Sequence, residues 1–161
     1  MEGMASDVPG GPGWVIRGDD LRPSITDPTL FRDAHADDGL IDAMERLWSG
    51  SPAEALELLR SHGDSPRVRA LRADCHRNLG DHGRALEAYD ALVAETTDTT
   101  REAVMRQHRG KTLLAAGEPD RALEDFERAA ELRKGGDPSL LASTNQALQV
   151  AREAVTRHQR D

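Results

Sequence analysis

Cys75 and His76 stand side by side, a thiol next to an imidazole, and are the pair in this chain whose types could support nucleophilic chemistry. Such chemistry needs the imidazole to take the thiol proton. The surrounding pattern is helical, and adjacent helix positions point about 100° apart, so the two side chains do not face each other. A small core thiol beside a partly exposed histidine is the expected arrangement. The six histidines, His35, His62, His76, His82, His108 and His158, are scattered, and none repeats at metal-ligand spacing on one helix. There is no glycine-rich phosphate loop, no paired-cysteine motif and no His-Glu-x-x-His. The expectation is a protein without catalysis, bound metal or cofactor.

Charge placement says more than any motif. Between residues 66 and 116 the bases include Arg67, Arg69, Arg72, Arg77, Arg101, Arg106, Arg109 and Lys111. The segment from Pro119 is acidic, with Asp120, Glu124, Asp125, Glu127 and Glu131 against Arg121 and Arg128. The 161-residue chain carries a formal charge of −8. Residues 1–45 hold ten acids and three bases, so nearly all of that charge lies at the N-terminal end. Aromatic residues make up only 3%, which leaves the core to leucine, alanine and valine. The net charge and the scarcity of stacking aromatics argue against nucleic acid as a partner. No apolar run approaches the length of a membrane span, and no signal peptide is visible. With a single cysteine excluding an internal disulfide, the expectation is a soluble cytoplasmic protein.

The elements that must position these charges are helices. Residues 1–36 differ from the rest, being rich in Gly, Pro and Asp. Residues 1–13 read as a flexible tail, followed by two apolar islands, Trp14–Ile16 and Leu30–Phe31. From there the apolar period predicts helices over 38–49, 52–61, 66–79, 82–95, 100–116, 119–132 and 138–159. Ser51-Pro52, Ser65-Pro66 and Asp137-Pro138 pair a capping oxygen with a proline at the first turn. Asp81 can cap the helix after Gly80, and Thr99 with Glu102 has capping-box spacing. Gly50, Gly80 and Gly117 divide the helices into pairs where a left-handed C-cap is needed. They lie 30 and 37 residues apart.

A phrase recurs across these pairs. "GDHGRALEAYDALV" at residue 80 and "GEPDRALEDFERAAEL" at residue 117 match closely, and "GSPAEALELLR" at residue 50 is a weaker copy. Ala55, Ala85 and Ala122 recur at one place, with Leu59, Tyr89 and Phe126 four residues on along the same stripe. In the preceding helices Ala43, Ala73 and Gly110 are again small. Small faces small, and one large side chain fills the gap.

These residues resemble the tetratricopeptide repeat family, whose period is about 34 residues. The resemblance covers residues 37–132. It departs from the family pattern at Arg69, Arg72, Arg106 and Arg109, and at Asp42 and Arg46, where bulky apolar residues are usual. It implies an all-α right-handed superhelix of about three stacked helical hairpins, with 138–159 as a capping helix striped by Leu141, Thr144, Leu148, Ala151 and Val155. Residues 1–36 are then an irregular acidic leader and residues 37–161 the repeat domain. First helices line a concave groove in this family. By that resemblance Arg67, Asp74, Arg77, Gln107, His108 and Lys111 face the groove and bind a partner. At the positions where some members grip a chaperone tail stand Leu40, Met44, Leu71, Val104 and His108, which supply no lysine, arginine or asparagine for that grip.

The resulting expectation is non-catalytic binding of a peptide or protein segment of acidic character. The alternative is a structural repeat protein that dimerises without a separate ligand. Two roles are open to the leader. It can cover the apolar face of Leu40, Met44, Leu47 and Trp48, which lacks a preceding repeat, or it can occupy the groove as a tethered competitor.

Overall fold

The computed structural model describes residues 5–160. The helices expected from the sequence lie at Ile41–Trp48 (α2), Pro52–Leu59 (α3), Pro66–Asn78 (α4), His82–Thr96 (α5), Glu102–Ala115 (α6), Pro119–Arg133 (α7) and Pro138–Arg160 (α8). Their ends follow the expected chemistry. Ser65 accepts from the N–H of Val68, and Asp81 from that of Arg84, both at 3.2 Å. Gly50, Gly80 and Gly117 have φ of 88, 86 and 80°, values that favour glycine. In each case the next residue's N–H bonds back to the last helical turn, from Ser51, Asp81 and Glu118 to the carbonyls of Arg46, His76 and Leu113. The Thr99–Glu102 box does not form as expected. Asp98 turns the chain at φ 66°, and Glu102 accepts its N–H rather than that of Thr99.

Each helix from α2 to α8 packs on its neighbours in sequence, and α6 also touches α4 and α8. The recurring residues make these contacts. Ala55, Ala85 and Ala122 are fully buried, as are Leu59, Tyr89 and Phe126. A Cβ added at Gly110 would come within 2.4 Å of the Phe126 ring, so that position accepts nothing larger than glycine without movement. Tyr89 keeps its buried hydroxyl bonded to the carbonyl of Ala70, at 2.9 Å, and to Asp74. Each buried large side chain contributes about 1.5–3 kcal/mol.

The arginines that depart from the family pattern are paired rather than packed. Arg106 and Arg109 converge on the buried carboxylate of Asp125 in α7, at 3.1 and 2.8 Å. Arg106 also reaches the buried Glu102 at 3.0 Å. Arg69 joins Glu95 in α5, while Arg72 joins Asp64 and the carbonyl of Leu59. Asp42 and Arg46 are exposed, because the buried stripe of α2 runs instead through Ala43, Met44 and Leu47.

The leader is the part that differs from the expectation of an irregular segment. Val8–Gly11 (β1), Trp14–Ile16 (β2) and Pro23–Ile25 (β3) form an antiparallel sheet in the order β1-β2-β3, and Pro28–Ala34 (α1) is a helix capped by Asp27. Residues 1–4, the start of the tail expected to be flexible, lie outside the described residues. The rest of that tail is ordered because it is paired: Val8 sits opposite Ile16. Apolar alternation is too short here to announce strands, and the glycines and prolines hide them.

Candidate functional site

The leader lies across the helices rather than beside them. At one end Phe31 of α1 shares a core with Leu40, Met44 and Leu47, and Trp14 and Ile25 pack against it. This covers the apolar face of α2. At the other end β1 touches α8, where Gln146 donates to the carbonyls of Ser6 and Ile16, both at 2.9 Å. Between these ends Leu21 is buried against Leu113, Ala147, Leu148 and Ala151, residues of α6 and α8. Its φ of 60° is unusual for a branched side chain, and burial offsets that backbone cost.

Under the strands remains a cavity of about 460 Å³. Its walls come from β2 and β3 on one side and from α2, α4, α6, α8 and the end of α7 on the other. The floor is apolar, with Met44, Leu71, Val104 and Met105, and the leader contributes Trp14, Ile16 and Pro23. Arg67, Asp74, Gln107, His108 and Lys111 all line it. Five of the six side chains expected to bind a partner therefore meet at one place. Arg77 does not open on this cavity; it lines neighbouring spaces toward the leader's turn.

These side chains are unequally free. Arg67 forks onto Asp38, at 3.0 and 2.6 Å. Gln107 is buried and engaged at both ends of its amide: it donates to Ser143, and its oxygen accepts from Thr144 and Arg133. Asp74 is buried beside Arg77 at 3.2 Å and His108 at 3.4 Å, and accepts from Tyr89. Burial alone would raise its pKa, but Arg77, His108 and Tyr89 outweigh that and hold the carboxyl well below its ordinary value. His108 stacks on the Tyr89 ring, with centroids 5.7 Å apart.

Lys111 is different. It is half-buried and has no hydrogen-bond or ion-pair partner among the described residues. Burial, and then the nearby charge of Arg77, lower its pKa from 10.5 to about 8.

Arg133 also lines this cavity and was not expected to. The expected site residues all came from α4 and α6, whereas Arg133 ends α7. Its guanidinium reaches Gln107 and Thr144, and burial lowers its pKa. Trp14 and Ile16 had one signal in the sequence, their apolar island in a polar leader.

The arrangement has the parts of a binding site. An apolar floor ends in a group of cations, and the one buried acid among them is already engaged. Cys75 is fully buried in the first core, and burial, then the charge of Asp74, push its thiol up to about 12. Its proton therefore stays on at neutral pH, while His76 is only half-buried. Among the described residues no three His, Cys, Asp or Glu side chains gather as metal ligands, and no helix is long and apolar enough to cross a membrane. Compared with known proteins, the chain matches no family model, and no characterised protein and no solved structure matches it significantly.

Proposed function

We propose that this chain is a tetratricopeptide-like repeat protein of the cytoplasm that works without catalysis and binds an extended segment of another protein. The segment lies along the face made by α2, α4, α6 and α8, a face that curves as the inner side of a right-handed superhelix. The partner is acidic, and the leader holds its place until the partner arrives. The observation that carries this reading is the leader itself. That face is already covered by another part of the chain, the leader's antiparallel sheet, which Trp14 seats against Trp48 and Gln146 holds at Ser6 and Ile16. Sequential helix packing and the buried Ala85–Tyr89 and Ala122–Phe126 stripes support the repeat assignment. The basic lining supports the charge preference, since opposite charge steers encounter and like charge repels.

Fluorescence anisotropy tests it, using labelled acidic and basic peptides of matched length. A Trp14→Ala/Leu21→Ala double variant, which loosens the leader, should bind the acidic peptide more tightly than the wild type. The affinity should fall as salt rises, because exposed charges are screened beyond about 10 Å at 0.1 M. Preference for the basic peptide, or no binding of either, overturns the reading.

A further inference from the structure

A second space, of about 430 Å³, opens where the leader's turn, Asp19–Arg22, meets α4, α6 and α8. Four cations line it: Arg22 from the leader, Arg77 from α4, Lys111 from α6 and Arg157 from α8. Its two carboxylates are engaged first by Arg17, although Asp20 also lies near enough to favour the charged form of Lys111. Asp19 binds Arg17, and Asp20 lies 3.8 Å from the same guanidinium and accepts the N–H of Arg22. Among the described residues Arg22, Lys111 and Arg157 have no carboxylate within 4.0 Å.

Arg77 is the buried member of this set. It is 6% exposed, and although its Nη1 sits 3.2 Å from Asp74, that nitrogen makes no hydrogen bond. Asp74 is already shared with Tyr89 and His108. Nη1 is itself buried and turned to Asp74 rather than into the space, and Nε donates to Asn78; the group with less compensation is Lys111, an ammonium held near a like charge. Packing alone gives no reason to collect cations from three helices and a turn around one space.

We infer that this space is a binding site for a small free anion carrying two or more negative charges, of the pyrophosphate or tricarboxylate class. Arg77 and Lys111 grip it from the helices, and Arg22 closes on it from the leader. The volume suits a small molecule, and guanidinium forks suit oxyanions. The lowered proton affinity of Lys111 agrees, because it reflects burial and repulsion by Arg77 that an anion between them would relieve. The bound anion bridges leader and helices, so it holds the leader down. This site does not rest on the segment-binding reading, and its test uses no peptide.

The test is isothermal titration of the full chain with pyrophosphate, citrate and acetate at constant ionic strength, with melting temperature measured in parallel. One pyrophosphate or citrate should bind per chain, and acetate should bind at least about tenfold more weakly. Tighter pyrophosphate binding assigns a phosphoryl ligand, and tighter citrate binding a carboxylate one. Ligand should raise the melting temperature of the wild type. Lys111→Met should lose about tenfold or more in affinity while melting higher than the wild type without ligand. That opposite pair of effects separates a binding role from a structural one. Arg157→Gln should weaken binding severalfold, and Arg60→Gln, at the exposed end of α3, should change nothing. The site is overturned by absence of heat and of any melting shift at millimolar pyrophosphate. It is equally overturned by binding that Lys111→Met leaves intact, or that Arg60→Gln weakens as much.

Discussion

The Trp14 ring of the leader lies against the Trp48 ring of α2, with centroids 4.5 Å apart and planes tilted by 37°. Phe31 meets the same Trp48 from α1, at 5.6 Å. One indole therefore anchors both parts of the leader, the sheet and the helix. Tilted aromatic pairs of this kind add about 0.5–1.5 kcal/mol beyond the area they bury.

Trp14→Ala should free the sheet from α2 without unfolding the helices. The expected loss is about 2 kcal/mol, less than for a fully buried tryptophan because Trp14 is half-buried. Hydrogen exchange reads the outcome. The amides of β2 and β3 should exchange much faster while those of α4 to α7 keep their protection. Equal acceleration in both would mean that leader and helices form a single cooperative unit.

The hairpin contacts should resist enlargement. Ala122→Leu forces a side chain into a fully buried site and should cost about 1–3 kcal/mol. Gly110→Ala should also destabilise, despite the better helix propensity of alanine, because its methyl would meet the Phe126 ring at 2.4 Å. Arg121→Leu, exposed on the same helix as Ala122, serves as control and should shift the melting temperature little. A Gly110→Ala variant that melts higher than the wild type would show that the ring yields freely.

Asp125→Ala should be among the most damaging single changes. It leaves Arg106 with Glu102 alone and Arg109 with Asp90 alone beside a buried gap, and removing one partner of a buried ionic cluster costs more than the cluster contributes. Both arginines retain some solvent contact, so we expect about 2–3 kcal/mol. Denaturant unfolding measures it. Adding Arg109→Met should recover part of the loss, since an apolar side chain then replaces a charge left with only the exposed Asp90 as partner.

Lys111 gives a pH signature of definite sign. Its folded pKa is about 8, against 10.5 as the ordinary value. Below about pH 8 both folded and unfolded chains hold the proton, and the folded state carries the whole penalty of a crowded charge. Between about 8 and 10.5 the folded chain sheds its proton first, so this residue's contribution to stability rises with pH. Lys111→Met should therefore melt higher than the wild type at pH 7, and its advantage should shrink toward pH 10. Melting curves of both proteins across that range isolate the effect from other titrating groups. An advantage independent of pH would mean that the lysine is solvated after all.

The helices α2 to α8 were legible in the sequence because each carries its own local signals. Gly50, Gly80 and Gly117 stop helices wherever they stand, and Ser65 and Asp81 start them through bonds to residues three positions on. The buried stripe through Ala85, Tyr89 and Leu92 repeats at helical spacing, so its inward face could be named in advance. Arg106 and Arg109 could be recognised as out of pattern. Their partner could not be named, because Asp125 is one of five acids in the following helix segment and only packing selects it.

The leader was hidden for a related reason. Its strands hold three or four residues each, and their hydrogen bonds join residues whose pairing no short pattern declares. Five of the six expected site residues meet at one cavity, yet which of them remain free was settled by distant neighbours. Ser143 and Thr144 use up Gln107, and Asp38 takes Arg67. The sequence alone determined that the helices α2 to α8 form and which of their stripes turn inward, since those choices rest on bonds and periods within a few residues. The tertiary structure alone decided that the leader crosses to α8, that Asp125 holds two arginines and that Lys111 has no partner among the described residues. Those outcomes depend on which groups burial brings together, and burial is a property of the whole chain.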